Sequence, residues 1–276
     1  MPRTLIIVGV LALQGAFIEH VKLLRQAADQ IVLDSNRKWD FIEVRTPQEL
    51  GRCNALIIPG GESTTIALAA ARSGLLDPLR DFVKVRRKPT WGTCAGLILL
   101  AESANRTKQG GQDLIGGLDV RVNRNYFGRQ TESFETRLAL PFLDARNGED
   151  GGMPFNGIFI RAPVVEKLLP VTQGEQTVEK GLEEMVIAPS RDAEGVLARK
   201  QVLRPVEIMA TLPGRSRILR KQIAAAGLED EMGDIVAVKQ GNVFGTSFHP
   251  ELTQDARIHI WWLEQVKEIA LIEDET

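Results

Sequence analysis

Pro89–Leu100 reads PTWGTCAGLILL, and the way this stretch is parsed decides the fold. Pro89-Thr90-Trp91 leads into a turn centred on Cys94, and an apolar run follows that continues as a helix. The same strand, turn, helix order recurs upstream. Leu5–Leu11 is a continuous apolar run, the mark of a strand covered on both faces. After Gln14-Gly15, Phe17, Val21, Leu24 and Ala28 fall at helical spacing. Phe41–Val44 and Ala55–Ile58 are short strand candidates. Pro59-Gly60-Gly61 then breaks the chain before a helix opening on Ser63-Thr64-Thr65. Strands alternating with helices predict an α/β fold: a single three-layer domain with a mostly parallel central sheet flanked by helices.

The second half is less regular. Gly117–Val122, Gly157–Ala162, Val206–Thr211, Ile235–Lys239 and Val243–Phe248 read as strands, and Gln254–Ile272 as a closing helix. Insertions are expected near residues 144–155, 170–204 and 213–233. The first holds the glycine-rich loop Asn147–Gly152. The last is expected to hold a helix, Ser216–Ala226, capped by Gly227 and carrying the basic cluster Arg215, Arg217, Arg220 and Lys221.

The 276 residues include 34 basic and 36 acidic side chains, which nearly cancel, so charge supplies no reason to expect nucleic acid or an anionic membrane as partner. Two cysteines build no disulfide framework. The apolar N-terminal run is read as a buried strand and not a signal peptide, and no stretch is long enough to span a bilayer. These features predict a cytoplasmic protein.

Gly92-Thr93-Cys94-Ala95-Gly96 has the form G-x-C-x-G, the thiol counterpart of the serine nucleophile elbow. Glycines two residues to either side leave room for a strained backbone at the nucleophile. A helix start behind Cys94 lowers a thiol's pKa and turns the Ala95 N–H towards a developing oxyanion. A small buried core cysteine has the same signature, so this motif leaves both readings open. Cys53, without an elbow, reads as structural.

A thiol nucleophile needs a base, and there are three histidines. His20 is assigned to the polar, solvated side of the first helix, and His259 to packing or surface in the last. His249 lies in Ser247-Phe248-His249-Pro250-Glu251, where proline favours extended backbone and residues two apart face one side. Glu251 can then orient the His249 ring. Finally, Pro59-Gly60-Gly61-Glu62-Ser63 ends a strand with free backbone amides and a carboxylate suited to an ammonium.

Taken together these residues resemble a class I, triad-type glutamine amidotransferase, and more narrowly the glutaminase subunits of pyridoxal 5′-phosphate synthases. The similar stretches are Gly9–Gly15, Ile58–Thr65, Trp91–Ala101, Asn123–Gln130, Ser133–Glu135, Phe159–Pro163 and Gln240–Thr253. The resemblance implies Cys94 as nucleophile, His249 as base and Glu251 as orienter. It implies glutamine binding by Gly61, Glu62, Ser63, Arg121, Ile160 and Arg161, and an oxyanion hole from Gly60 or Gly61 with Ala95. It also implies no cofactor and no metal, with ammonia passed to a (β/α)₈ synthase subunit that activates the glutaminase on docking. Other readings stay open: the glutaminase of a different amidotransferase, a cysteine peptidase or esterase, or a regulatory subunit without turnover.

Overall fold

In an extended strand successive side chains point to opposite faces, so an all-apolar strand buries both. The first strand does this. In the computed structural model, which describes residues 4–105, 112–124, 133–144, 153–170, 185–212 and 233–274, β1 (Thr4–Leu11) sends Ile6, Val8 and Val10 into one core and Leu11 into another. β3 (Ala55–Ile58) repeats the split, Ala55 and Ile57 to one side, Leu56 and Ile58 to the other.

β1 pairs in parallel with β2 (Arg37–Val44) and with β3. β3 pairs in parallel with β4 (Thr90–Thr93), and β4 with β13 (Val243–Thr246). The register sets Ile58 beside Gly92, and Thr93 beside Thr246. The loops after β1, β3, β4 and β13 therefore leave one edge of the sheet together, where α/β proteins build their sites. Beyond β13 the sheet is mixed: β12 (Asp234–Gln240) runs antiparallel to β13, β11 (Glu207–Leu212) and β9 (Val164–Leu168). β6 (Leu118–Asn123), β5 (Ala101–Asn105) and β10 (Met185–Ile187) complete it. A separate antiparallel ribbon joins β7 (Ser133–Leu138) to β8 (Phe155–Ile160).

Helix α1 (Phe17–Ala28) and α8 (Arg257–Asp274) cover one face, through Val21, Leu24, Ala27, Ile258, Trp262 and Val266. The other face is covered by α2 (Pro47–Gly51), α3 (Ser63–Arg72), α4 (Leu76–Arg80) with the π-helical turn Asp81–Val85, and α5 (Ala95–Leu100). Short helices α6 (Pro141–Asp144) and α7 (Val196–Val202) lie in the second half. The three-layer arrangement is the expected one.

Boundaries differ in instructive places. The helix behind Cys94 is six residues long and passes straight into β5, with Ala101 already extended. All six residues are buried, so packing and not helix propensity holds it. The second half of the 170–204 excursion adds β10 to the sheet beside β5 and forms α7. The loop 147–152, the 216–226 helix and its basic cluster lie outside the described residues. Among the described residues no helix is long and apolar enough to cross a membrane.

Candidate active site

Cys94 sits between β4 and α5 with φ 47° and ψ −98°, a conformation few L-residues adopt and one that packing must impose. The flanking glycines explain how. A Cβ on Gly92 would lie 2.5 Å from the Gly96 carbonyl carbon, and one on Gly96 would lie 2.1 Å from the Ile58 carbonyl oxygen. Both contacts are with backbone, which cannot step aside. Gly96→Ala is expected to destabilise the fold by about 3 kcal/mol or more, measured by denaturant unfolding. The first helical bond of α5 runs from Ile98 N–H to the Cys94 carbonyl at 3.2 Å. The Ala95 N–H therefore precedes the helical ladder and remains available to a ligand.

β13 delivers His249 and Glu251 to the same place. Glu251 Oε1 accepts from His249 Nδ1 at 2.7 Å, which leaves the other ring nitrogen, Nε2, for a second partner. The ribbon joins them: the His249 N–H donates to the Ile158 carbonyl at 2.8 Å, and the Ile160 carbonyl lies 3.8 Å from Cys94 Sγ. Burial acts to lower the His249 pKa, but the hydrogen bonds with Cys94 and Glu251 outweigh it and lift the value to about 10. The ring is then imidazolium at neutral pH. Because this pKa is raised above 6.5, its stabilising contribution is complete below about pH 6.5 and disappears as pH rises through about 10. The gap in unfolding free energy between wild type and His249→Gln is expected to narrow over that interval, as read from urea titrations at each pH.

Gly60 is wedged against this pair. Its carbonyl accepts from the Ala16 N–H at 3.1 Å, and a Cβ there would fall 2.2 Å from His249 Cε1. Gly61 packs on Gln14, whose Oε1 accepts from the Glu62 N–H at 2.8 Å. The Gln14-Gly15 turn, with Gly15 at φ +99°, thus braces the glycine loop from behind. Glu62 and Arg161 stand 4.0 Å apart at the mouth, 51% and 65% exposed. Arg161 also has positive φ, at 43°.

Arg124 was missed in the sequence reading. Its guanidinium donates to Ser63 Oγ at 2.9 Å, to Thr64 Oγ1 at 3.1 Å and to Gln112, all neutral groups. Burial pulls its pKa down, with Glu62 opposing. A nearly buried cation held by neutral side chains beside a helix start suits an anionic ligand group. It lies inside the quoted stretch Asn123–Gln130, and a buried arginine cannot be told from a surface one by sequence alone; residues 125–130 lie outside the described residues. Arg121, which the resemblance had implied, sits half-buried within β6, in register with Ser103 and Lys167.

One assignment is overturned. His20 is not solvated: it is fully buried, with Nδ1 3.0 Å from His259 Nε2 and Nε2 3.2 Å from Thr93 Oγ1. It falls three residues after Phe17 and four before Leu24, on the buried face of α1. His259 is fully buried as well, and burial drops its pKa to about 3. Cys53 is structural as expected: its Sγ donates to the Glu49 carbonyl at 3.3 Å, and burial pushes the thiol up to about 12.

The chain is similar to known proteins along most of its length. The profile of the SNO glutamine amidotransferase family matches residues 10–198 and 207–268. The chain is 42% identical over 267 residues to the probable pyridoxal 5′-phosphate synthase subunit PDX2 of Arabidopsis thaliana, covering 95% of this chain and 86% of that one. It is 37% identical over 252 residues to the pyridoxal 5′-phosphate synthase subunit PdxT of Herpetosiphon aurantiacus, covering 91% and 96%. A crystal structure of a glutamine amidotransferase, 34% identical, superposes with a TM-score of 0.61 over 94% of this chain and 98% of that one. The chain belongs to the SNO glutamine amidotransferase family.

Proposed function

We propose that Cys94, His249 and Glu251 hydrolyse L-glutamine to L-glutamate and ammonia, and that the ammonia passes to a pyridoxal 5′-phosphate synthase subunit. The observation that carries this reading is that strand β8 meets Cys94 at Ile160 and His249 at Ile158, with Glu251 hydrogen-bonded to the ring, in a member of this family. The Cys94 thiolate attacks the side-chain amide carbon, forming a C–S bond and a tetrahedral oxyanion. The Ala95 N–H and a Gly60 or Gly61 N–H hold that oxygen, each donor contributing about 3–4 kcal/mol. His249 gives its proton to the leaving nitrogen, and the oxyanion collapses to a thioester as the C–N bond breaks and ammonia departs. The now neutral ring takes a proton from water, whose oxygen attacks the thioester carbon, and glutamate leaves with the thiolate restored. Glu251 keeps the ring's tautomer and orientation throughout.

For substrate binding the reading gives the α-ammonium to Glu62 and the α-carboxylate to an arginine. Arg124 beside Ser63 and Arg161 beside Ile160 support this, and Gly61 belongs to the same proposed set. Arg121 belongs to the same proposed set through the resemblance. The reading treats residues 1–276 as one amidotransferase domain, and the partner as a cytoplasmic (β/α)₈ subunit.

The test uses glutamine labelled with ¹⁵N in its amide. With the synthase subunit present, ammonia release should rise well above the rate of the chain alone, and the label should enter pyridoxal 5′-phosphate. Release without transfer of label would rule out the synthase as recipient.

A further inference from the structure

The triad carboxylate has two oxygens, and His249 occupies one. Glu251 Oε2 is buried, has no conventional hydrogen-bond partner among the described residues, and lies 3.5 Å from Nε2 of His20. A buried carboxylate oxygen left unpaired is costly, so whatever faces it bears on where the carboxylate rests. His20 reaches this point from α1, and its Nε2 also lies 3.2 Å from Oγ1 of Thr93, the residue before the nucleophile. Behind it, His20 Nδ1 meets His259 Nε2 at 3.0 Å, and Trp91 packs on both imidazoles.

From this arrangement we infer that His20, locked in one tautomer by His259, is a positioning residue that holds Glu251 against His249 by offering its Nε2–H to the second carboxylate oxygen. The tautomers follow from counting donors. If His20 carried its proton on Nδ1, the lone pair of its Nε2 would face the Glu251 carboxylate. His259 Nε2 would then be the acceptor and His259 Nδ1 would carry the proton. That Nδ1 is buried without a partner among the described residues, so an N–H would be stranded there. Placing the protons on both Nε2 atoms avoids each penalty. His259 then donates to His20 Nδ1, and His20 donates towards Thr93 Oγ1 and Glu251 Oε2. Burial, which lowers the pKa of both imidazoles, keeps them neutral, as this pattern requires. The result is a chain of polarity running His259, His20, Glu251, His249, Cys94. It resembles the outer hydrogen bonds that orient the inner ligands of metal sites, where removal of a link costs 10–100-fold.

The inference rests on the triad reading, and the experiment separates the two. Glutamine hydrolysis is measured with the synthase subunit present for wild type, Cys94→Ala, His20→Leu and His20→Gln, with thermal unfolding alongside. Glutamine as a replacement can keep an N–H donor near the position of Nε2. His20→Leu should lower kcat about 10–100-fold with KM within about twofold of wild type, and His20→Gln should recover most of the loss. Site-resolved alkylation of Cys94 by iodoacetamide should slow in His20→Leu and recover in His20→Gln. A folded His20→Leu with unchanged kcat, or equal losses in both variants, would overturn the inference, while loss of activity in Cys94→Ala would leave the triad reading intact. Activity surviving in Cys94→Ala would remove the triad reading itself. Independently of folding in any variant, ¹⁵N spectra of histidine-labelled wild type should show His20 protonated at Nε2. Protonation at Nδ1 would refute the inference directly.

Discussion

Cys94→Ala is expected to lower glutamine hydrolysis by about 10⁴- to 10⁶-fold, the range seen when a triad nucleophile is removed. The fold should persist, because alanine keeps the Cβ and the same backbone demand at φ 47°. No other thiol in the chain can substitute. Cys53 is tied to the Glu49 carbonyl and its pKa of about 12 keeps it protonated at any pH where the enzyme works. The decisive measurement is steady-state ammonia release by purified protein with its synthase partner. A variant retaining more than about a hundredth of wild-type kcat would place the nucleophile elsewhere.

Gly60→Ala is the second large effect. The added methyl would sit 2.2 Å from His249 Cε1 and 2.6 Å from Nδ1, so the ring has to move. The ring is also the one element that cannot move without consequence, since its Nδ1 is committed to Glu251 and its other nitrogen has to serve Cys94 in the proposed reaction. A displacement of about 1 Å in a reacting group costs on the order of 100-fold. The expected result is a fall in kcat of about that size with modest loss of stability. Gly61→Ala is the control. Its methyl would meet Gln14 Oε1, the far end of a flexible side chain, and its loss should be closer to ~10-fold by the same reasoning. Gly60 lies outside the positive-φ region, so the comparison isolates crowding of the base from backbone strain. Equal kcat in the two variants would show that Gly60 does not bear on the ring.

Local chemistry made much of the fold and site readable in advance. An apolar strand ending in glycines announces a tight turn at any position in any fold, so Pro59–Ser63 and Gly92–Gly96 were recognisable one at a time. The pairing of His249 with Glu251 was readable as a relation between neighbours in sequence, but not for the expected reason: Pro250 opens a 3₁₀ turn, Pro250–Leu252, so a helical turn and not extended backbone brings the carboxylate to the ring. The errors fell where a side chain's surroundings are assembled from distant segments. His20 was given to solvent because histidine is polar, although its spacing from Phe17 and Leu24 marks the buried face. What makes burial tolerable is His259, 239 residues away. Arg124 was passed over because its partners, Ser63, Thr64 and Gln112, are brought to it by α3 and by the segment before β6. The helix after Cys94 was recognised, but not that it stops at Leu100, since only the sheet edge waiting at Ala101 ends it.

By itself, then, the chain determined which strands are buried on both faces, where the backbone must turn sharply, and which residue pairs act as neighbours. Those are properties of periodicity, glycine and proline, and they act over a few residues. Only the tertiary structure decided that the turns after β3, β4 and β13 open at one edge, that Gly60 presses on the His249 ring, and that two buried imidazoles stand behind Glu251. Each of these depends on strand order and register. A parallel register is set by the packing of entire faces, so it exists only once the sheet has formed.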